Sequence, residues 1–505
     1  MKIIADLPGT AECCWTATTP RTSYPVLTKS FRADVAIIGA GIVGLTAAYV
    51  LCRAGVSVAV IEARRVGRQV TGRSSAKITS QHSLIYRHLR DTSDLDTART
   101  YADANRAGAA QIRTWIRDLK IACDLEERDA YAYTCKESLL ADIKAEVDIA
   151  RELGFRAEFV VPAPLPFETA GALRFLHEAQ FNPAQYLVGL ATAIKEAGGR
   201  IFENTRVQDV KIGRRWRVMT DRAWLDADNV VVATNLPIIA SGQYDIRTRP
   251  RGHIAMAFRT DSPMAVQGMF IGIDHPTHSI RMGRDDEGPL LIVLGPAFVT
   301  GQERDVSARF RLLDEWAHKN LPVREAAWRW FNEDYDTPDR IPYIGKPEKK
   351  STGLYIATGF NGWGISNGAA AGLLISDQIQ GRPNPWGKLY DPQRRGPKKY
   401  NKGDETHSLV SSIDEIHRGQ GGVIKRGRAK LAVYRAANGR FRALSASCTH
   451  AGCIVSWNNA DLTWDCPCHG SIFSATGQVI HGPATKPLRT RKLTTVRHKR
   501  TRNRG

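Results

Sequence analysis

The sequence predicts an α/β protein carrying a small all-β domain at its C-terminal end. Three observations predict it. A buried-strand pattern, ADVAIIG from Ala33, runs through a glycine-rich turn into a helix and a second strand, VSVAVIEA. Strands and helices then alternate between residues 155 and 345. From 420 to 490 short alternating strands with turn signals replace them. A length of 505 residues suits about three domains at roughly 150 residues each.

Residues 1–30, rich in Pro and Thr, read as an irregular lead-in. The first strand is followed by Gly39, Gly41 and Gly44, which spell G-x-G-x-x-G at the start of the helix GIVGLTAAYVLCRAG. Glu62 closes the second strand. This is a Rossmann-like dinucleotide-binding unit. The first glycine permits the tight turn, and the second lets the backbone approach a pyrophosphate. The third lets helix and strand pack closely. The helix N-terminus offers N–H groups to the phosphates, and Glu62 can accept hydrogen bonds from a ribose. Helices follow to about 155, FNPAQYLVGLATAIKEAGG is a further helix, and IFENTRVQDVKI reads as one strand. No second G-x-G-x-x-G lies between 155 and 345, which argues against a reductase fed by NAD(P)H.

The neighbouring segments resemble the D-amino-acid oxidase and glycine oxidase superfamily, in that family's order, over residues 30–390. They are ARRVGRQVTGRSSAKITSQH (63–82), VVVATN (230–235) and TPDRIPYIG (337–345) followed by GLYIATGFNGWGISNG. The resemblance implies FAD as cofactor and an α+β substrate domain interleaved with the FAD-binding domain. It places Ala63, Ser74, Ser75, Val207, Gly362 and Gly364 beside the cofactor, with Gly39, Gly41, Gly44 and Glu62. Family members often hold a substrate carboxylate with an arginine, whose planar fork pairs with both oxygens. Arg281 is the first candidate and Arg284 the second. Lys77 and His82 follow the flavin-wrapping loop and are expected near the ring, where Lys77 is a candidate catalytic residue.

RPNPWGKLYDPQRRGPKKYNKGDETHS is rich in Pro, Gly and charge and reads as a linker, placed at 391–415. Beyond it stands CTHAGCIVSWNNADLTWDCPCHGS, with four of the nine cysteines. Cys448-x-His450 is followed by Cys466-x-x-His469. A zinc site with two Cys and two His is one reading. Zinc fingers, however, pair Cys with Cys and His with His. Here each half gives one of each, which suits two irons of unlike ligation. CTHAGC and CPCHGS resemble the two loops of the Rieske 2Fe–2S family, and GPATKPL (482–488) its proline loop. The resemblance, over 416–490, implies that Cys448, His450, Cys466 and His469 bind iron and that Cys453 and Cys468 form a disulfide. It also implies that Ser471 donates a hydrogen bond to a bridging sulfide. High-potential members carry Tyr two residues beyond that Ser, and this chain has Phe473. With that donor missing, the expected potential is below the top of the Rieske range of about −150 to +300 mV; a redox titration reads it directly.

The fusion resembles bacterial FAD-dependent oxidoreductases with a C-terminal Rieske module. It implies oxidation of a small amine or amino-acid-like substrate at the flavin, with electrons leaving through the cluster to an external acceptor. Two alternatives stand beside it. One is a flavin oxidase with a structural or redox-sensing cluster. The other is a reductase supplying electrons to a partner protein.

The formal net charge is +20. Such a surface attracts acidic partners, an acidic electron carrier among them. Much of the excess falls in RRGPKKYNKG (394–403) and in the basic tail, 491–505. Nucleic-acid binding is not expected, because no binding module accompanies the charge. Cys13, Cys14, Cys52, Cys123 and Cys135 show no framework spacing and read as reduced thiols. No apolar run reaches the roughly 18 residues of a membrane span, no secretory signal is apparent, and a cytoplasmic protein is expected.

Overall fold

The computed structural model describes residues 7–239, 244–262, 264–394 and 409–493. Most of the linker and the tail beyond Leu493 lie outside the described residues. Two large sheets with their helices, a three-stranded sheet of Lys77–Ile78, Ala179–Gln180 and Glu126–Glu127, and a β-rich C-terminal module are described.

The first sheet is the dinucleotide-binding one. Phe31–Ile38 pairs in parallel with Val58–Ile61 on one side and Trp224–Val232 on the other. Arg200–Phe202 extends it beyond Val58–Ile61, and Leu354–Thr358 beyond Trp224–Val232. Val58–Ile61 is buried at every position, as a parallel strand covered on both faces must be. The helices Ile42–Arg53 and Ser366–Ile379 cross one another on this sheet. The small residues of SNGAAAGLLISDQI allow the approach: a Cβ on Gly372 would lie 2.6 Å from Thr46 Cγ2.

IFENTRVQDVKI does not form one strand. It divides into Arg200–Phe202 and Val207–Ile212. The break is at Glu203, whose buried carboxylate accepts hydrogen bonds from the backbone N–H groups of Tyr24 (3.1 Å) and Val66 (2.8 Å). The lead-in is also more ordered than its composition implies. Cys14–Thr18 is a short helix, and Trp15 is fully buried.

The second sheet is largely antiparallel. Its longest pairing joins Arg249–Arg259 to Ala326–Asp336. The C-terminal module holds two small sheets. One runs from Leu409–Val410 through Gln420–Arg426, Ala429–Arg435 and Phe441–Ser445 to Thr490–Arg491. The other runs from Ser456–Asn458 to Val479–His481 around Trp457, Trp464 and Phe473. Among the described residues no helix is long and apolar enough to cross a membrane.

Candidate functional site

One cavity runs from the G-x-G-x-x-G turn to the start of Ser366–Ile379. It is lined by Gly39, Gly41, Glu62, Ala63, Ser74, Ser75, Val207, Gly362 and Gly364, so the structure brings together nine of the ten positions expected beside a dinucleotide. Gly44, the tenth, lies behind the wall. A Cβ there would run into the carbonyl oxygen of Gly39 and stand 3.1 Å from Ile37 Cγ2, so helix and strand could not close. The N-terminus of Ile42–Arg53 opens on this end of the cavity and offers N–H groups to phosphate. Glu62 takes the N–H groups of Ala40 (2.9 Å) and Arg64 (2.8 Å) on its two oxygens, and burial raises its pKa.

At the other end stand Lys77 and His82. Lys77 Nζ lies 2.7 Å from Phe270 O and 2.7 Å from Ser279 Oγ. Burial, with the nearby charge of Arg281, pushes its pKa down to about 7. A neutral amine has two N–H donors and one lone pair. Phe270 O accepts one of these donors, and the Ser279 hydroxyl, in the orientation that accepts, takes the other. His82 stacks on Trp363, ring centroids 4.7 Å apart. Its Nδ1 lies 2.8 Å from Tyr101 Oη and its Nε2 3.0 Å from Ser366 Oγ, and burial pushes its pKa down to about 3. It is a neutral ring that fixes the helix start.

Arg281 is not a cavity residue. Its guanidinium is buried beneath the loop Ser74–Lys77. Nη1 donates to the carbonyls of Ser75 (3.0 Å), Ala76 (2.6 Å) and Phe181 (3.3 Å), and the charge lies 4.9 Å from the Trp15 ring centroid. Arg284 is exposed and also lies off the cavity. Arg251 lines the cavity instead, with Nη1 donating to Asn361 O (3.1 Å) beside Gly362. His253, His278 and Asp334 line it too. Burial pushes His253 down to about 3 and His278 to about 4, and it raises Asp334 to about 6. None of these four has a local motif. Arg251 and His253 share the strand Arg249–Arg259, Asp334 lies on its partner Ala326–Asp336, and His278 precedes the strand Ser279–Asp285, so long-range pairing brings the three segments together.

In the C-terminal module the residues of CTHAGC and CPCHGS converge. The Nδ1 atoms of His450 and His469 face each other at 3.2 Å with their rings nearly perpendicular. The thiols of Cys448 and Cys466 share a hydrogen bond, which lowers the pKa of Cys448 and raises that of Cys466. Ser471 also hydrogen-bonds Cys448 and accepts from Ala484 N at 3.0 Å. Cys453 and Cys468 form the disulfide that ties the two loops together. A pair of neighbouring thiols and a pair of facing Nδ1 atoms fit a cluster whose irons take unlike ligands. His469 is buried and His450 exposed. The cysteines outside these loops are free.

The two halves meet. Ile480, His481, Gly482, Ala484 and Thr485 of the C-terminal module line the same cavity as the dinucleotide loop. The strand Ala326–Asp336 stands between the two sites. Asn332 and Asp334 face the cavity, and Asp334 Oδ2 accepts from Gly362 N at 2.6 Å. Glu333 and Tyr335 face the cluster loops. Tyr335 Oη lies 3.0 Å from Glu333 Oε1 and 3.1 Å from the carbonyl oxygen of His469. Gly470 (φ +70) sits directly on this pair. A Cβ there would meet Tyr335 Oη at 2.7 Å and run into the Glu333 carboxyl, so no larger residue fits.

Residues 34–378 match the family described as FAD dependent oxidoreductase, and residues 406–492 match the Rieske [2Fe-2S] domain. The chain belongs to the FAD-dependent oxidoreductase family and carries a Rieske domain. It is 32% identical over 494 residues to a putative Rieske 2Fe-2S iron-sulfur protein, YhfW, of Bacillus subtilis, covering 95% of this chain and 97% of that one. It is 24% identical over 379 residues to the γ-glutamylputrescine oxidoreductase of Escherichia coli, covering 71% of this chain and 86% of the other. The solved glycine oxidase of Geobacillus kaustophilus superposes with a TM-score of 0.58 at 19% identity, over 72% of this chain and all of that one. The first match implies FAD as cofactor, and the Rieske domain implies a 2Fe–2S cluster.

Proposed function

We propose that this oxidoreductase oxidises a small amine or amino-acid-like substrate in the cavity and delivers the electrons to an external acceptor through its Rieske domain. The observation that carries the reading is the shared wall: Rieske residues 480–485 close the cavity that the dinucleotide loop opens. When bound, FAD supplies a two-electron acceptor and the 2Fe–2S cluster a one-electron carrier. Cys448, Cys466, His450 and His469 would hold the cluster; His469 is buried against Tyr335 of the flavin domain and His450 is exposed.

The chain's own residues prepare the substrate. Lys77, neutral above about pH 7, holds its lone pair in the cavity and takes the proton of a substrate ammonium group. Ser279 and Phe270 O fix the amine in place. Arg251, whose Nη1 is held by Asn361 O (3.1 Å) and Asp336 Oδ1 (3.4 Å), is the guanidinium that lines the cavity and meets a substrate carboxylate; Arg281 is engaged with Ser75 and Ala76. The related γ-glutamylputrescine oxidoreductase and glycine oxidase support an amine-type substrate.

The test is anaerobic reduction of the purified protein with amines, amino acids, hydroxy acids and NAD(P)H in turn. Flavin bleaching is read optically and cluster reduction by electron paramagnetic resonance. An amine or amino acid that bleaches the flavin and brings up the cluster signal is the expected result. Reduction by NADH alone would reverse the direction of flow. A bleached flavin beside a cluster that stays oxidised would leave a plain oxidase.

A further inference from the structure

We propose that a basic groove on the Rieske domain is the docking site for an acidic one-electron carrier protein. The inference rests on the reading that electrons leave through the cluster, and it places their exit. The groove is lined by Arg426, Arg428, Lys430, Arg491 and Lys492. None of the five pairs with a carboxylate among the described residues. Between 409 and 493 the chain carries twelve lysines and arginines and only four acids, Asp414, Glu415, Asp461 and Asp465.

The fold does not ask for this charge. Lys425 stands directly opposite Lys430 in the hairpin Gln420–Arg426/Ala429–Arg435. Like charges directly opposite one another are destabilising. A polar neutral residue would serve the strand better, so a function outside the fold accounts for the lysines.

The position of the groove selects the partner. Ser447 and Ile454 also line it. They form the bridge that closes the loop carrying Cys448, His450 and Cys453, and Cys448 N donates to Cys453 O at 2.8 Å across the same neck. A molecule seated in the groove therefore rests against the neck of the first cluster loop. A nucleic acid or an anionic membrane would be served by positive charge anywhere on the surface. A redox partner needs it beside the cluster. The sequence continues from Lys492 with Arg497, Lys499, Arg500, Arg502 and Arg504 and no acid. Steering of this kind raises association rates by about 10- to 1,000-fold and fades with salt.

The probe is cytochrome c in two forms, native and basic or succinylated and acidic, mixed with photoreduced holoprotein in a stopped-flow instrument. Fully photoreduced holoprotein holds two electrons on its flavin and one on its cluster, so at most three ferric haems become ferrous per protein. The expected result is reduction of the acidic form at least about tenfold faster than the basic one at low ionic strength, with the ratio falling as salt is added. The double variants R428E/K430E and R491E/K492E should each bring that ratio to one or below. Because the ratio is taken within each protein, partial loss of cluster cancels. A wild-type ratio at or below one overturns the proposal, and so does a ratio that both charge reversals leave intact. If neither cytochrome nor a small neutral quinone takes electrons from the reduced cluster, the outflow reading falls. The groove is then judged by titrating oxidised holoprotein with succinylated cytochrome. Salt-sensitive binding lost in both variants keeps it, and no binding removes it. Duplex DNA or phosphatidylglycerol vesicles binding through these residues, where the acidic cytochrome does not, would assign the groove to a polyanion instead.

Discussion

Lys77 shows how burial sets chemistry at a single residue. The residue is 7% exposed, and its pKa falls from 10.5 to about 7 because burial disfavours the charged form and Arg281 adds a like charge. The unfolded chain keeps Lys77 protonated up to its ordinary value. Between about pH 7 and 10.5 the unfolded state therefore binds more protons, and stability rises with pH. Below about 7 both states are protonated and this slope vanishes. Lys77→Met should flatten the wild-type rise in unfolding free energy across that window, measured by urea titration at several pH values. The same variant should lose any inflection near pH 7 in the rate of flavin reduction. A pH–stability curve identical to wild type would show that the amine is not held neutral.

At the scale of elements, the strand Ala326–Asp336 does the joining, through the two-residue period of any β-strand. Asn332 and Asp334 point to the flavin cavity, Glu333 and Tyr335 to the cluster loops. Tyr335→Phe removes the donor shared by the Glu333 carboxyl and the His469 carbonyl. It should lower stability by about 1–3 kcal/mol, because buried acceptors then lose their partner. A urea midpoint unchanged from wild type would mean that water replaces the hydroxyl. The same period explains what could be read in the sequence. Gly39, Gly41, Gly44 and Glu62 lie within 24 residues, and the cluster residues fall in two short loops, so local spacing revealed both. Ser279 and Arg281 also share a face by period two. Spacing does not tell that the chain Ser74–Lys77 crosses above Arg281 and takes its guanidinium, while Ser279 stays open to the cavity. Arg251, His253, Asp334 and His481 carry no local signal at all. The pairing of two distant strands and the docking of a second domain bring them into the site.

For the whole molecule, the question is whether the Rieske domain swings or stays. The contacts favour a fixed domain. Ala460 and Ile472 join the apolar cluster of Phe331, and Ile480 packs against it. Asn459 accepts from Ser307 N at 3.1 Å and donates to Asp305 Oδ1 at 2.8 Å, and Arg206 Nη2 donates to Val479 O at 3.1 Å. These groups fix the orientation as well as the proximity of the two domains, and they seal the cavity with residues 480–485. A protein ending at Tyr390 loses that wall. Its flavin should be quenched by acrylamide more steeply than in the full chain, with circular dichroism confirming that the flavin domain remains folded. Equal quenching in a folded truncation would mean that the Rieske wall opens freely in solution. The electron path would then depend on a closing motion, and adding a viscogen would slow cluster reduction. In a sealed molecule the viscogen leaves that rate unchanged, because the strand that separates the two sites already holds them in register.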